Sequence, residues 1–359
     1  MPSALRDVAV VAYTQSSPFL ANARLNDAEM LIPLVGELYE TSGLAKEEIG
    51  FTCSGSTDYI AGQSFAFVHA VDALGAWPPI SESHVEMDGA WALYEAWVKI
   101  QTGEVDSALC FCFGRASMGT IEEVLTLQLD PYTVGPLAPD AHSLAALQAR
   151  ALIDSGKASE RDIAAVVAKN LAAAKANPDA LVTGDVDIDA LLAEPCVASP
   201  LRAHALPPVT DGAAAIVIAA GDTARRACAK SGQAPVWIRG IEHRCEPMGL
   251  GLRDLATSAS TKAAADAAGV HDGPVDLAEL HAPYAHQELI LREALGIGDP
   301  AIVNRSGGAT AANPMMVAGL ARIGEAVRQI RAGRGRRAVA HATQGPCLQQ
   351  NLVCVLEGE

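Results

Sequence analysis

Short, almost unbroken apolar runs alternate with longer stretches of helical character along the chain, the pattern of strands buried between helices. "DVAVVAYTQ" near the N-terminus reads as a first strand. In "SHVEMDGAWALYEAW" (Ser83–Trp97) a short apolar run leads into Asp88-Gly89, and a helical pattern begins at once. "LPPVTDGAAAIVIAAG" (Leu206–Gly221) reads as a turn followed by a buried strand.

Two pairs of segments repeat the same order of elements. "GLAKEEIGFTCSGSTDYIAGQ" and "GVHDGPVDLAELHAPYAHQE" each run from a helix end at Gly through an acidic linker and an apolar strand to a polar turn with a Tyr. "EMDGAWALYEAWVKIQTGEVDSALCFCFG" and "SGGATAANPMMVAGLARIGEAVRQIRAGRGRRAVAHATQG" each read as a turn, a long Ala-rich helix, I-x-x-G, a charged loop and a strand ending in Gly. Gly43 and Gly269 are offset by 226 residues, Ile100 and Ile330 by 230. Near-equal offsets predict two copies of one α/β unit, over residues 1–225 and 226–359. A Pro-rich and then helical region at about 115–205 interrupts the first copy, as a lid or substrate-loop domain on a rigid scaffold would.

Composition narrows the partners. The 359 residues carry 26 Lys and Arg against 42 Asp and Glu, a net charge of −16, which disfavours nucleic acid and anionic membrane surfaces. The basic run Arg331–Arg337 reads as a solvated loop. Eight cysteines without regular spacing give neither a metal site nor a disulfide framework, and suit a reducing cytoplasm. Cys110 and Cys112 are read as facing opposite sides of a strand, unable to share a metal. The N-terminus lacks a signal-peptide pattern, and no window of ~18 apolar residues spans a membrane.

The opening strand, "VEMDGAWALYEAWVKIQTGEVDSAL", "AKNLAAAKANP", "PPVTDGAAAIV", "AELHAPYAHQELILREALG", "VNRSGGATAANPMMVAG" and "HATQGPCLQQNLVCVLE" together resemble the thiolase superfamily, most closely its sterol-carrier-protein-type branch, over nearly the whole chain. The resemblance implies a thiolase fold: duplicated βαβαβαββ halves in five αβαβα layers with an inserted loop domain. It also implies coenzyme A thioesters as substrates and a two-fold dimer. The loop region Lys169–Lys175, with Lys169, and Arg202 are candidates for the coenzyme A phosphates. Gly307 and Gly308 are candidates for a close backbone approach, although helix packing explains so short a glycine run better.

The family's catalytic stations are altered. Its nucleophilic cysteine, at the start of a buried helix, corresponds to Asp88. Its His-Asp-Cys-Phe motif falls on His281-Ala282-Pro283-Tyr284, and its Gly-His-Pro motif on Ala312-Asn313-Pro314. The second cysteine of biosynthetic thiolases falls near Gln344–Cys347. Thiolysis through an acylated cysteine is therefore not expected.

The altered set offers Asp88 as a base, His281 as a donor or proton shuttle, Asn313 as an oxyanion donor and Tyr284 as a weak acid. That combination suits retro-aldol cleavage of a bulky or branched 3-hydroxyacyl-CoA. Steroid side-chain aldolases, which look like thiolases without the catalytic cysteines, work this way beside a small OB-fold, zinc-ribbon-like partner. Their two tyrosines fall here nearest His281 and Met315–Met316, so that pattern is not reproduced. Two other readings stand beside it: a silent subunit paired with an active thiolase chain, and an acyltransferase using Cys347. The structural alternatives are an Asp88 helix cap, a satisfied buried His281 and an Asn313 that merely starts a helix.

Overall fold

The computed structural model describes residues 5–21 and 24–359. Its main strands are β1 (Val8–Gln15), β2 (Phe51–Gly55), β3 (Glu82–Val85), β4 (Ser107–Arg115) and β5 (Asp211–Ala220). The second part of the chain adds β6 (Val236–Cys245), β7 (Leu277–Leu280), β8 (Arg337–Gln344) and β9 (Gln350–Gly358). They form a nine-stranded sheet in the order β3-β2-β4-β5-β1-β6-β9-β8-β7.

The order is symmetric about the antiparallel β1–β6 pair, in which Val8 faces Ile238. Moving outward on either side, two antiparallel pairings are followed by a parallel one: β1-β5-β4-β2 on one flank, β6-β9-β8-β7 on the other. The copies differ at the rim. Where β2 pairs with β3, the outer edge of β7 makes one bridge among the described residues, from Ala278 to Val303.

The larger helices are α1 (Asp27–Thr41), α2 (Gly89–Gln101), α3 (Ile121–Leu127), α4 (Ala141–Asp154), α5 (Glu160–Ala174), α6 (Gly221–Ser231), α7 (Ala259–Ala268), α8 (Ala285–Leu295) and α9 (Ala318–Arg331). Three apolar clusters set the layers. Leu31, Leu38, Ala224 and Ala227 of α1 and α6 pack on Val11, Phe111 and Ala215. Ala92, Ala96, Leu320 and Ile323 of α2 and α9 lie between Val10 and Ile216 of one flank and Ala340 and Leu352 of the other. Ala264 and Leu291 of α7 and α8 cover Val339 and Val353. The result is five layers, αβαβα. Alanine is frequent at these contacts because helix backbones must come close to the sheet on both sides.

Some buried polar atoms of the central helices are paired, while Trp91 Nε1, Arg322 Nε and Gln329 Oε1 have no partner among the described residues. Arg322 of α9 meets Glu279 of β7 at 3.0 Å, with both side chains buried. Breaking such a pair strands a charge in the interior. The expected division at residue 225 falls inside α6, whose Ala224, Ala227 and Cys228 pack as one face with β1 and β5. Cys110 and Cys112 share the inner layer rather than facing opposite sides, because residues two apart in a strand point the same way. Their thiols donate to the carbonyls of Ala92 and Ala214.

Between β4 and β5 lie α3, α4 and α5. Ala145, Ala149, Ile163 and Val167 form a small core there that also takes in Tyr284 and Ala285 from the start of α8. The inserted region is thereby fixed to the second half of the chain beside the candidate site. Among the described residues, no helix is long and apolar enough to cross a membrane, and no group of His, Cys, Asp and Glu is arranged to hold a metal.

Candidate active site

Asp88 is the N-cap of α2, and it caps α9 as well. Its Oδ1 accepts the N–H of Ala90 at 2.9 Å and of Leu320 at 3.0 Å, while Oδ2 accepts the N–H of Gly319 at 2.8 Å. One carboxylate thus sits where the positive ends of two helix dipoles converge. Burial pushes the carboxyl above its ordinary value, and the three N–H donors and Arg322 pull it back. Three of its roughly four acceptor directions are filled by backbone.

Two glycines make room for this arrangement. A Cβ on Gly319 would lie 2.4 Å from Asp88 Oδ1, and one on Gly89 would lie 2.5 Å from Cys112 Sγ. Gly319→Ala is accordingly expected to destabilise the protein by about 1–3 kcal/mol through overpacking. Urea denaturation of the variant checks this, and an unchanged midpoint would mean that the two helix ends are not in contact through Asp88.

His281 follows β7 and is buried. Its Nδ1 receives the Thr343 N–H at 3.4 Å, which leaves the proton on Nε2, and Nε2–H donates to Asn313 Oδ1 at 3.0 Å. Burial lowers its pKa to about 3, so the ring is neutral at physiological pH. Such a ring works as a fixed donor and not as a shuttle cycling through imidazolium. Asn313 gains an oriented amide: its oxygen is taken by His281, its backbone N–H donates to Thr210 Oγ1 at 2.9 Å, and its Nδ2 protons have no partner among the described residues.

Tyr284 precedes α8. Its hydroxyl lies 2.9 Å from His142 Nδ1 at the start of α4, and burial holds the phenol well above its ordinary value. The Tyr284 N–H donates to Gln287 Oε1 at 3.1 Å, and Gln287 in turn donates to buried Gln148 at 2.9 Å.

Cys347 occupies the turn between β8 and β9, with φ +55° beside Leu348 at +58°. Gln148 and Arg253 donate to its carbonyl at 3.2 and 2.8 Å, which anchors this unusual backbone. The thiol donates to the Leu144 carbonyl at 3.3 Å, and burial pushes it up to about 11. It is a thiol in a packed wall, without the features that make a reactive thiolate. Under native conditions iodoacetamide is therefore expected to modify only the exposed Cys196 and Cys245, leaving the six buried cysteines intact. Intact-mass measurement reads this directly, and rapid labelling of Cys347 would revive it as a nucleophile.

Asp88, His281, Tyr284, Asn313 and Cys347 all line one cavity of about 180 Å³. Leu125, Leu129, Leu144, Met315 and Met316 form its apolar wall, three of them supplied by the inserted region. Gln344, the residue matching the second family cysteine, also lines it and accepts the Asp88 N–H at 3.0 Å.

Lys169, Arg202, Gly307 and Gly308 do not line this cavity. Lys169 pairs with Glu288 at 2.7 Å and reaches the Val303 carbonyl at 3.0 Å. Arg202 pairs with Glu160 and donates to the Glu194 carbonyl at 2.9 Å. A Cβ on Gly307 would sit 2.6 Å from the Ala174 and Ala311 methyls, and one on Gly308 would sit 2.8 Å from the Asn304 side chain. Within the protein these four engage in internal pairing and close packing. In the basic run, Arg331 binds the Val10 and Val11 carbonyls, and the N–H groups of Arg336 and Arg337 bind Asp276.

His142 and the apolar wall were not legible in the sequence. His142 follows "LAPDA" with no motif around it, and only its meeting with Tyr284 across 142 residues marks it.

No protein-family model matches the chain. It is 26% identical to the benzoylsuccinyl-CoA thiolase subunit BbsB of Thauera aromatica over 232 residues, 56% of this chain and 59% of that protein. It is 28% identical to the acetyl-CoA acetyltransferase of Methanothermobacter thermautotrophicus over 226 residues, 56% of this chain and 58% of that protein. Both matches span less than two thirds of the relative. The crystal structure of human mitochondrial 3-ketoacyl-CoA thiolase superposes with a TM-score of 0.76 over 98% of this chain and 99% of that one, at 18% identity. The chain has the thiolase fold.

Proposed function

We propose that the cavity binds the reacting end of an acyl-CoA thioester and cleaves a 3-hydroxyacyl-CoA by a retro-aldol reaction. One observation carries this: polar groups from four distant segments converge on a single apolar cavity, with an amide donor unbonded among the described residues and no thiolate. Such a site can stabilise an enolate but lacks the nucleophile of acyl transfer.

In the reaction the Tyr284 oxygen takes the proton of the substrate 3-hydroxyl as it releases its own along its hydrogen bond. The C3–O bond becomes a carbonyl and the C2–C3 bond breaks. Its electron pair passes to the thioester enolate, whose oxygen accepts from Asn313 Nδ2. A proton returned to C2 gives a shorter acyl-CoA beside a ketone or aldehyde. His281 holds the Asn313 amide in place, and Asp88 serves as the double helix cap and not as the base.

Size refines the substrate. An apolar cavity of ~150 Å³ holds benzene, so about 180 Å³ suits a phenyl ring or a short branched chain. A fused four-ring steroid would have to remain largely outside. The benzoyl group in the name of the Thauera relative agrees with a ring of this size. A dimer, or a heteromer with a small OB-fold, zinc-ribbon-like chain in the cytoplasm, is the working assembly we propose; that relative is itself named a subunit.

The test is mass spectrometry of the complex purified from its native host, given 3-hydroxy-3-phenylpropanoyl-CoA and short branched 3-hydroxyacyl-CoAs. Cleavage should appear, and Tyr284→Phe should lower kcat by about 10²–10⁴-fold. A second reading, a silent subunit beside an active thiolase chain, is favoured by the saturation of Asp88. It would be established by a co-purified thiolase chain with its own cysteine and by no cleavage.

A further inference from the structure

We infer that His142 is the positioning residue of this site: it accepts the Tyr284 phenol proton while Tyr284 takes the substrate hydroxyl proton, and then hands it back. The inference rests on the lyase proposed above and names a group outside its cavity lining.

Tyr284 cannot serve alone. Burial keeps its phenol from ionising, so its oxygen can receive a proton only as it releases its own. The hydroxyl has one partner among the described residues, His142 Nδ1, at 2.9 Å. The rings meet edge to face, with centroids 5.8 Å apart and planes at 78°. Nδ1 must then be the unprotonated nitrogen, leaving Nε2–H directed toward Glu122, whose Oε1 lies 3.7 Å away.

The surroundings suit a transient imidazolium. Glu122 on α3 and Asp140, the N-cap of α4, are the carboxylates facing the pair. Cys347, a protonated thiol, and buried His286, neutral and 6.1 Å from the Tyr284 ring, are its other titratable neighbours. His142 keeps 24% of its side chain exposed, so its charged form stays hydrated; His281, His286 and His341 are buried. During cleavage the substrate O–H proton moves to Tyr284 and the phenol proton to Nδ1. After C2–C3 breaks, the phenol protonates C2 and Nδ1 returns its proton to the Tyr284 oxygen. No proton or electron is gained or lost over the cycle.

The test compares wild type, His142→Asn and His142→Ala in the native complex. Two rates are followed: cleavage of 3-hydroxyacyl-CoAs, and exchange of the C2 protons of acetyl-CoA in D₂O, which needs the acid–base pair but no C–C cleavage. We expect His142→Asn, which keeps an acceptor toward Tyr284 but takes no proton, to lose about 10²–10³-fold in both rates, with KM little changed. The acid limb of the pH profile should vanish, and added imidazole should partly restore His142→Ala. Equal rates and an unchanged limb in His142→Asn, with wild type cleaving, would overturn the relay and leave the lyase standing. His142-dependent exchange without any cleavage would sink the lyase and keep the relay. Neither cleavage nor exchange in wild type would overturn both.

Discussion

Asp88→Ala should lower stability by about 3–5 kcal/mol, seen as a large drop in the urea midpoint. The side chain is 1% exposed and accepts from three backbone N–H groups at the starts of two helices. Alanine removes every acceptor at once. Each stranded buried donor costs about 1–3 kcal/mol, and each lost cap about 0.5–2 kcal/mol; water entering the cavity would recover part of the loss. Asp88→Asn should lose less, because one oxygen remains for Ala90 and Leu320 while its amide nitrogen confronts the Gly319 N–H. That variant also separates the two roles weighed for this residue. A cap predicts a large stability change with kcat reduced far less than in Tyr284→Phe; a base predicts the reverse.

The second large effect is acid destabilisation. Burial lowers His281 and His286 to about 3 and His341 to about 4. In the unfolded chain each returns to about 6.5. Below that value the unfolded state binds protons that the native state refuses, so stability falls as pH drops from about 6.5 toward 4. At pH 5.5 each histidine contributes about 1.4 kcal/mol of loss, or roughly 4 kcal/mol for the three together. Asp88 and Glu325, raised by burial, act in the opposite sense. Urea midpoints at pH 7.5 and 5.5 measure this. A flat profile would mean that these rings are hydrated in the folded state.

The architecture was legible because its cues are local and repeated. Gly43 and Gly269, matched by sequence alone, both adopt φ +74° at the ends of corresponding helices. The Asp88-Gly89 turn marked the start of a buried helix, and the structure puts it there. The second job of Asp88 was hidden, since Gly319 and Leu320 lie more than two hundred residues away and backbone N–H groups leave no trace in a sequence. Lys169 and Arg202 looked like free cations because their carboxylate partners come from other helices and turns. Residue types told what His281 and Asn313 could do, but only their 3.0 Å contact decides which amide atom is left for a ligand. The rim of the second copy, reduced from a strand to one bridge at Val303, shows how far the duplicate halves have drifted in detail.

The most direct measurement is product analysis of the native complex, wild type against Tyr284→Phe, on 3-hydroxy-3-phenylpropanoyl-CoA. The account predicts benzaldehyde and acetyl-CoA from wild type, a loss of about 10²–10⁴-fold in the variant, and no acyl adduct on the protein at any time. Uncleaved substrate with wild type, or a covalent acyl group on Cys347 in the intact mass, would contradict it.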